Sequence, residues 1–286
     1  MSLWALALIL AAAVIHATWN LINKQASGHA TFTWLVAVLS ALLYAPAAIA
    51  IIEIFEMEIG MVAIGMMAGS AALHSFYFVL LNQAYRVGDL SLVYPLARGT
   101  GPLLSCIAAI LILGERPSVM AMIGALLIIG GVVMLSGNLA KLSERADQKA
   151  VLYALLTGLF IAGYTLWDKQ AVSRFGIAPL VLDWGANVGR ALFLTPLAFR
   201  YTDETIAEWR EHKYEAVAIA VLIPLSYILV LTAMTFTPVS YVAPAREISI
   251  LVGTAMGARL LAEGEAPRRL AAAGAMVLGV VGLAIG

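Results

Sequence analysis

Apolar runs of about twenty residues alternate with short polar clusters along the whole chain. They cover residues 2–22, 31–52, 60–83, 90–113, 118–137, 150–170, 177–199, 214–236, 240–262 and 267–285. Each run has the length of a helix that crosses ~30 Å of hydrocarbon. Ten such spans take up about 200 of the 286 residues and leave on the order of eight for each connection or tail. The pattern predicts an all-α integral membrane protein with no room for a folded extramembrane domain. Composition points the same way: 62% of the residues are hydrophobic before the 24 glycines are added, and 12% are charged. A soluble domain carries about 45–50% apolar residues with glycine included and about 25% charged. The lipid bilayer is therefore the first partner the sequence implies.

The spans repeat. Trp19-Asn-Leu-Ile-Asn-Lys-Gln-Ala26 closes the first and Tyr164-Thr-Leu-Trp-Asp-Lys-Gln-Ala171 closes the sixth. Further on, Ser91, Val93 and Pro95 return as Ser240, Val242 and Pro244, and the loop Gly114, Glu115, Pro117 returns as Gly264, Glu265, Pro267. Gly124 and Ala125 match Gly274 and Ala275. Matches in the same order at a nearly constant offset mark an internal duplication, which divides the chain into residues 1–140 and 149–286. Each unit holds five spans, and because five is odd the second copy enters the membrane inverted. Two inverted five-helix repeats around a central cavity are a recurring plan of secondary transporters, with the solute site near the midplane where the halves meet.

Loop charges give an orientation. The N-terminus, the C-terminus and the loops on their side hold Arg116, Lys169 and Arg174. The other side holds Lys24, Arg86, Lys141, Arg145, Lys149, Arg200, Arg210, Lys213, Arg268 and Arg269. The positive-inside rule makes the second side cytoplasmic and both termini external.

Several classes are excluded or disfavoured. The chain has no G-x-x-x-x-G-K-[ST] loop to cradle ATP phosphates, no H-E-x-x-H and no C-x-x-C, and Cys106 is its single cysteine. No metal site, no cofactor and no disulfide are expected. Lysine plus arginine equals aspartate plus glutamate at 17 each, so nothing suggests nucleic acid. The first span lacks a basic n-region and recurs later in the chain, so it is read as structural rather than as a signal peptide.

Polar residues inside the spans carry the functional expectations. Arg98 and Glu247 each follow a mid-span proline, Pro95 and Pro244, by three residues. A lone charge at this depth costs about 2.5–3.5 kcal/mol even on the mildest scale. The two residues, with Arg246, are therefore expected to meet or to line one cavity, either as a structural pair or facing solute. Pro95 and Pro244 remove backbone donors and mark candidate hinges or gates. His16, Trp19, Asn20 and Asn23 share one helical face, as do His74, Tyr77 and Phe78, and Tyr164, Trp167 and Asp168. Tyr94 precedes the first proline. His16, Trp19, Asn20, His74, Tyr77, Tyr94, Arg98, Tyr164, Trp167, Arg246 and Glu247 form the candidate solute-binding set, whose mix of rings and polar groups suits a small amphipathic molecule. Asp183, Asn187 and Arg190 share a face in the seventh span. They either meet a zwitterion or satisfy one another through Asn187.

Small residues at Ala121 and Ala125, and at Ala271, Ala275 and Gly279, predict close packing of the fifth span on the tenth, with a dimer interface as the alternative. A monomer is the first expectation and a homodimer the second. Tyr201 to Ala216 predicts a short helix on the cytoplasmic surface.

His16-Ala-Thr-Trp-Asn20 with Lys24, the stretch Ala84-Tyr85-Arg86 to Pro95-Leu96, and Gly114-Glu115-Arg116-Pro117 with its copy at 264–267 resemble the drug/metabolite transporter superfamily, in its EamA-type ten-helix branch. The resemblance spans nearly the whole chain. It implies two inverted repeats forming a basket around a cavity and export of amino acids, metabolites or drugs without ATP. The aromatic density of the inferred cavity is most similar to the amino-acid exporter branch of the YddG type. The sequence is thus read as an inner-membrane secondary transporter of small amphipathic metabolites, amino acids first, working by alternating access. Export of another solute, such as an organic anion held by Arg98 and Arg246 or a drug, is the alternative. An intramembrane enzyme lacks a clustered nucleophile, acid and base, and an assembly protein has no reason to line its spans with histidine, arginine and aspartate.

Overall fold

The computed structural model describes residues 1–23, 30–88, 90–135, 148–258 and 266–286. Of the residues singled out above, Lys24 to Ala26, Lys141, Arg145, Gly264 and Glu265 lie outside this set. So do the side chains of Ser91, Tyr94, Pro95, Pro267, Arg268 and Arg269.

The first half consists of α1 (Leu3–Asn23), α2 (Ala30–Ile54), α3 (Met61–Val87), α4 (Leu90–Ile112) and α5 (Val119–Leu135). The second consists of α6 (Gln148–Ser173), α7 (Pro179–Arg200), α8 (Thr202–Phe236), α9 (Val239–Ala245), α10 (Ile248–Ala258) and α11 (Ala266–Ile285). These are the ten expected spans, with the ninth divided into α9 and α10. Helices α1, α2, α3, α6 and α8 are each long and apolar enough to cross a bilayer. Helix α7 buries Asp183 and Asn187, which lowers its hydropathy without exposing polar groups to lipid.

The halves pack mainly on each other, and the contacts obey a two-fold rule. Helix α1 packs on α8 as α3 packs on α6; α1 packs on α10 as α4 packs on α6; α2 packs on α8 as α3 packs on α7. The pairs α2 with α7, α4 with α9, and α5 with α11 map onto themselves. An inverted duplication produces this pattern, because each contact surface in one repeat has a copy in the other.

The copies differ at one place. Helix α4 runs unbroken through Pro95, whereas its counterpart stops at Ala245 and restarts at Ile248. Pro244 cannot donate a backbone hydrogen bond. Around the break, tighter bonds replace the helical ladder: the Glu247 N–H donates to the Pro244 carbonyl at 3.0 Å and the Ile250 N–H to the Glu247 carbonyl at 2.9 Å.

Small residues let α5 and α11 approach closely. A Cβ at Gly124 would lie 2.5 Å from the Gly279 carbonyl oxygen, and one at Gly279 would lie 2.6 Å from that of Gly124. The buried seam of α11 runs through Ala272, Met276, Gly279 and Leu283. Ala271 is exposed and Ala275 half-buried, because a strict spacing of four drifts off the face of a 3.6-residue helix. Gly279→Val should lower stability by about 1–3 kcal/mol, since backbone, which cannot swing aside, stands opposite. An unchanged thermal midpoint in detergent would contradict this packing.

The expected short helix before the eighth span is present as the first part of α8, bent from the rest at His212 (φ −124°, ψ 26°). The Thr31 hydroxyl donates to Glu204 at 2.6 Å, and the His212 ring stands edge-on to Phe32. These contacts tie the segment to the start of α2.

Candidate functional site

A cavity of about 370 Å³ lies between the halves. Ile9 on its wall belongs to a core cluster in which Ala5, Ile128, Leu231, Met234 and Met276 are also buried. From Ile9 it runs along α1 to Asn20 and Asn23, and along α3 to Asn82 and Tyr85. It thus reaches the end of the bundle that carries the α1–α2 and α3–α4 connections.

The opposite end carries one tie between the halves and one within the second half. The backbone N–H groups of Val239 and Ser240 donate to the two oxygens of Glu115 at 2.7 and 2.9 Å. These are orphan donors of the first turn of α9, and a carboxylate is the strongest partner they can find. Lys169 Nζ donates to the carbonyls of Met234 and Thr237 at 2.6 and 3.1 Å, satisfying orphan acceptors at the end of α8.

Of the candidate binding residues, His16, Trp19, Asn20, His74, Tyr77, Arg98, Tyr164 and Arg246 line the cavity. His16 meets Trp19 edge-on at 4.7 Å between centroids. The Trp19 indole N–H is buried and has no acceptor among the described residues. His74 stacks on Tyr164 at 4.0 Å and is held by its Nδ1 against the Ser70 carbonyl at 2.9 Å. Tyr77 and Tyr227 both stand edge-on to Tyr164, at 5.8 and 6.4 Å. Four rings from α3, α6 and α8 thus make one wall.

Glu247 stands behind the lining, buried, with its Oε2 3.1 Å from Arg98 Nε. The two repeat-equivalent residues meet where α4 and α9 cross the two-fold. Pro244 is buried within α9 beside this pair.

Trp167 stands elsewhere. Its indole N–H donates to the Met66 carbonyl at 2.9 Å, and its ring fills the space a side chain would take at Gly69 on α3. It is not among the residues lining the cavity. Three residues beyond Tyr164, it turns far enough round α6 to face α3 instead of the interior.

Asp183, Asn187 and Arg190 make the internal chain that their spacing allowed. Asn187 Nδ2 donates to Asp183 Oδ2 at 3.0 Å, and Arg190 Nη1 donates to Asn187 Oδ1 at 3.3 Å. Asp183 and Arg190 also line the cavity, so the chain forms part of its wall.

Tyr227 is a cavity residue that the sequence reading did not single out. Its hydroxyl donates to a carboxylate oxygen of Asp168, which is fully buried, and the Arg246 guanidinium lies 5.4 Å from its ring centroid. The signal available was a Ser226-Tyr227 pair in the otherwise apolar middle of the eighth span.

A family model described as the EamA-like transporter family matches residues 3–137 and again residues 148–285. No curated protein matches the chain. Among solved structures, one crystal structure of a protein aligns with a TM-score of 0.77 at 16% identity, covering 98% of this chain and 96% of the other. At that identity the likeness speaks for the fold alone.

Proposed function

Because the chain belongs to the EamA-like transporter family, and is thus a multi-pass membrane transporter of small solutes rather than an enzyme, we propose that it exports small amphipathic metabolites, amino acids first. The observation that carries this reading is the composition of the cavity wall. Tyr77, Tyr164, Tyr227 and His74 offer flat apolar area to the body of a solute, while Arg190, Arg246 and Asp183 offer charges to its polar end. Orienting a small molecule takes this combination of a largely apolar pocket with a few placed polar groups.

Alternating access between inverted halves is the mechanism this geometry favours. At one end Glu115 of the first half ties α9 of the second, and the cavity extends toward the other end. Basic residues Arg86, Lys149 and Arg200 at helix ends, and Arg210 and Lys213 in the first part of α8, all at the far end, support a cytoplasmic mouth and external termini, with the inner membrane as the location. In that orientation the cavity reaches toward the cytoplasm, as a solute-loading state of an exporter requires.

Purified protein in liposomes preloaded with unlabelled amino acid should accumulate the same labelled amino acid by counterflow, severalfold faster than protein-free vesicles. Uptake at the protein-free rate for a full panel of neutral amino acids would overturn the amino-acid reading. Counterflow of monocarboxylates alone would favour the organic-anion alternative, for which the cavity-facing guanidinium of Arg246 is the supporting feature.

A further inference from the structure

Arginines Arg98, Arg190 and Arg246 all face the cavity, but their charges are answered differently. Arg98 stands against Glu247 at 3.1 Å. Arg190 donates to a neutral group, the Asn187 amide oxygen, at 3.3 Å. Arg246 lies over the Tyr227 ring. Among the described residues, neither Arg190 nor Arg246 has a carboxylate within ion-pairing distance. Of the neighbouring acids, Asp168 accepts the Tyr227 hydroxyl and lies beside Ser70, and Asp183 accepts from Asn187 through Oδ2, which leaves its second oxygen for a solute.

The two guanidiniums also share a neighbourhood. Both act electrostatically on His74, on Asp168 and on Tyr227. Two half-buried cations directed at one volume inside a membrane protein repel each other, and an anion between them relieves both. Guanidinium groups present planar forks of donors that match a carboxylate.

Resting on the amino-acid reading above, we infer that Arg190 and Arg246, grouped around Tyr227, form one subsite for the carboxylate of the solute, and that Asp183 on the adjoining wall receives its ammonium group. The Arg98–Glu247 pair then joins the halves and does not hold the solute's acid. The side chain of a bound amino acid falls against Tyr164, His74 and Tyr77. This arrangement ranks ligands by their acid group first.

The test uses purified full-length protein and three probes that differ only in their charged ends: L-phenylalanine, its decarboxylated amine phenethylamine, and its deaminated acid 3-phenylpropanoate. Affinity is read from ligand-dependent thermal shift in detergent. Phenylalanine should bind tightest, and the amine should bind about tenfold or more weaker, the cost of losing a charge-assisted contact. Arg190→Gln and Arg246→Gln should each weaken both carboxylate probes by about tenfold and leave the amine unchanged. Arg190→Lys and Arg246→Lys, which keep the charge but not the fork, should fall between. If a Gln variant fails to fold, the Lys variant and the wild-type probe series decide the matter.

Equal affinity for amine and acid, or carboxylate affinity unmoved by either arginine substitution, overturns the subsite even where amino acids are transported. If 3-phenylpropanoate binds through both arginines while no amino acid shows counterflow, the subsite stands and the amino-acid reading falls. Absence of binding by all three probes overturns both.

Discussion

Neutralising Glu247 alone should damage the protein more than neutralising Glu247 and Arg98 together. Glu247 is 5% exposed, and its carboxylate faces Arg98 at 3.1 Å inside the bundle. Glu247→Gln takes from the half-buried Arg98 guanidinium the carboxylate that faces it, a loss on the order of 3–5 kcal/mol. Arg98→Gln strands Glu247 in the same way, although Arg246 beside it softens the effect by leaving a second cation nearby. In the double variant no uncompensated charge remains, and two amides occupy the crossing of α4 with α9. Thermal unfolding of the four proteins in detergent gives the coupling, which should exceed about 1 kcal/mol and favour the double variant. Additive losses would mean that the residues act separately.

Which parts of this molecule the sequence disclosed follows from what local patterns can encode. The ten spans and the inverted duplication were legible because hydrocarbon thickness fixes span length and because duplicated loops kept Glu115 and Glu265 in register. The meeting of Arg98 with Glu247 followed from their equivalence: residues at matching depth in two halves related by a two-fold approach each other when they lie near the axis. The chain Asp183, Asn187, Arg190 could be read because i, i+4, i+7 spacing sets three side chains in a row on one helix.

Other features depended on packing. Helix α8 is largely apolar all round along its membrane part, so periodicity does not reveal which face looks inward, and the Ser226-Tyr227 pair was the one local mark of the cavity side. Trp167 shares a broad helical face with Tyr164 and both rings reach α3, yet Tyr164 meets His74 and Tyr77 at the cavity while Trp167 meets Met66 and Gly69 away from it. The break after Ala245 has no counterpart in α4 despite the matching prolines. It belongs to the arrangement of the two halves, and the repeated sequence alone does not distinguish them.

Tyr164 and Trp167 should therefore give opposite results. The Tyr164 ring is 5% exposed and touches His74, Tyr77 and Tyr227 at the centre of the aromatic wall. Tyr164→Ala opens that wall and should shift the preference between large and small neutral amino acids by about tenfold or more, as changes in pocket fit do. Tyr164→Phe, which keeps the ring, should hold the wild-type ranking and guards against a loss caused by misfolding. Trp167→Ala leaves the cavity wall intact and removes a contact with Met66 and Gly69. It should lower the thermal midpoint while the ranking of solutes stays the same. Counterflow measured for large and small amino acids, normalised to folded protein, reads both effects. A changed ranking in Trp167→Ala with an unchanged one in Tyr164→Ala would reverse the assignment of the α6 faces.

The central claim is that the cavity between the inverted halves is where the transported solute binds. Placing a single reactive thiol on its wall tests this most directly, by Tyr77→Cys in a Cys106→Ser background reconstituted in liposomes. A membrane-permeant maleimide should label it in the absence of solute, and the amino acid giving the highest counterflow should slow labelling in proportion to its occupancy, while a thiol placed at the exposed Glu211, in the charged first part of α8, should react at the same rate throughout. Labelling of Tyr77→Cys that proceeds unchanged under saturating transported solute would contradict the claim.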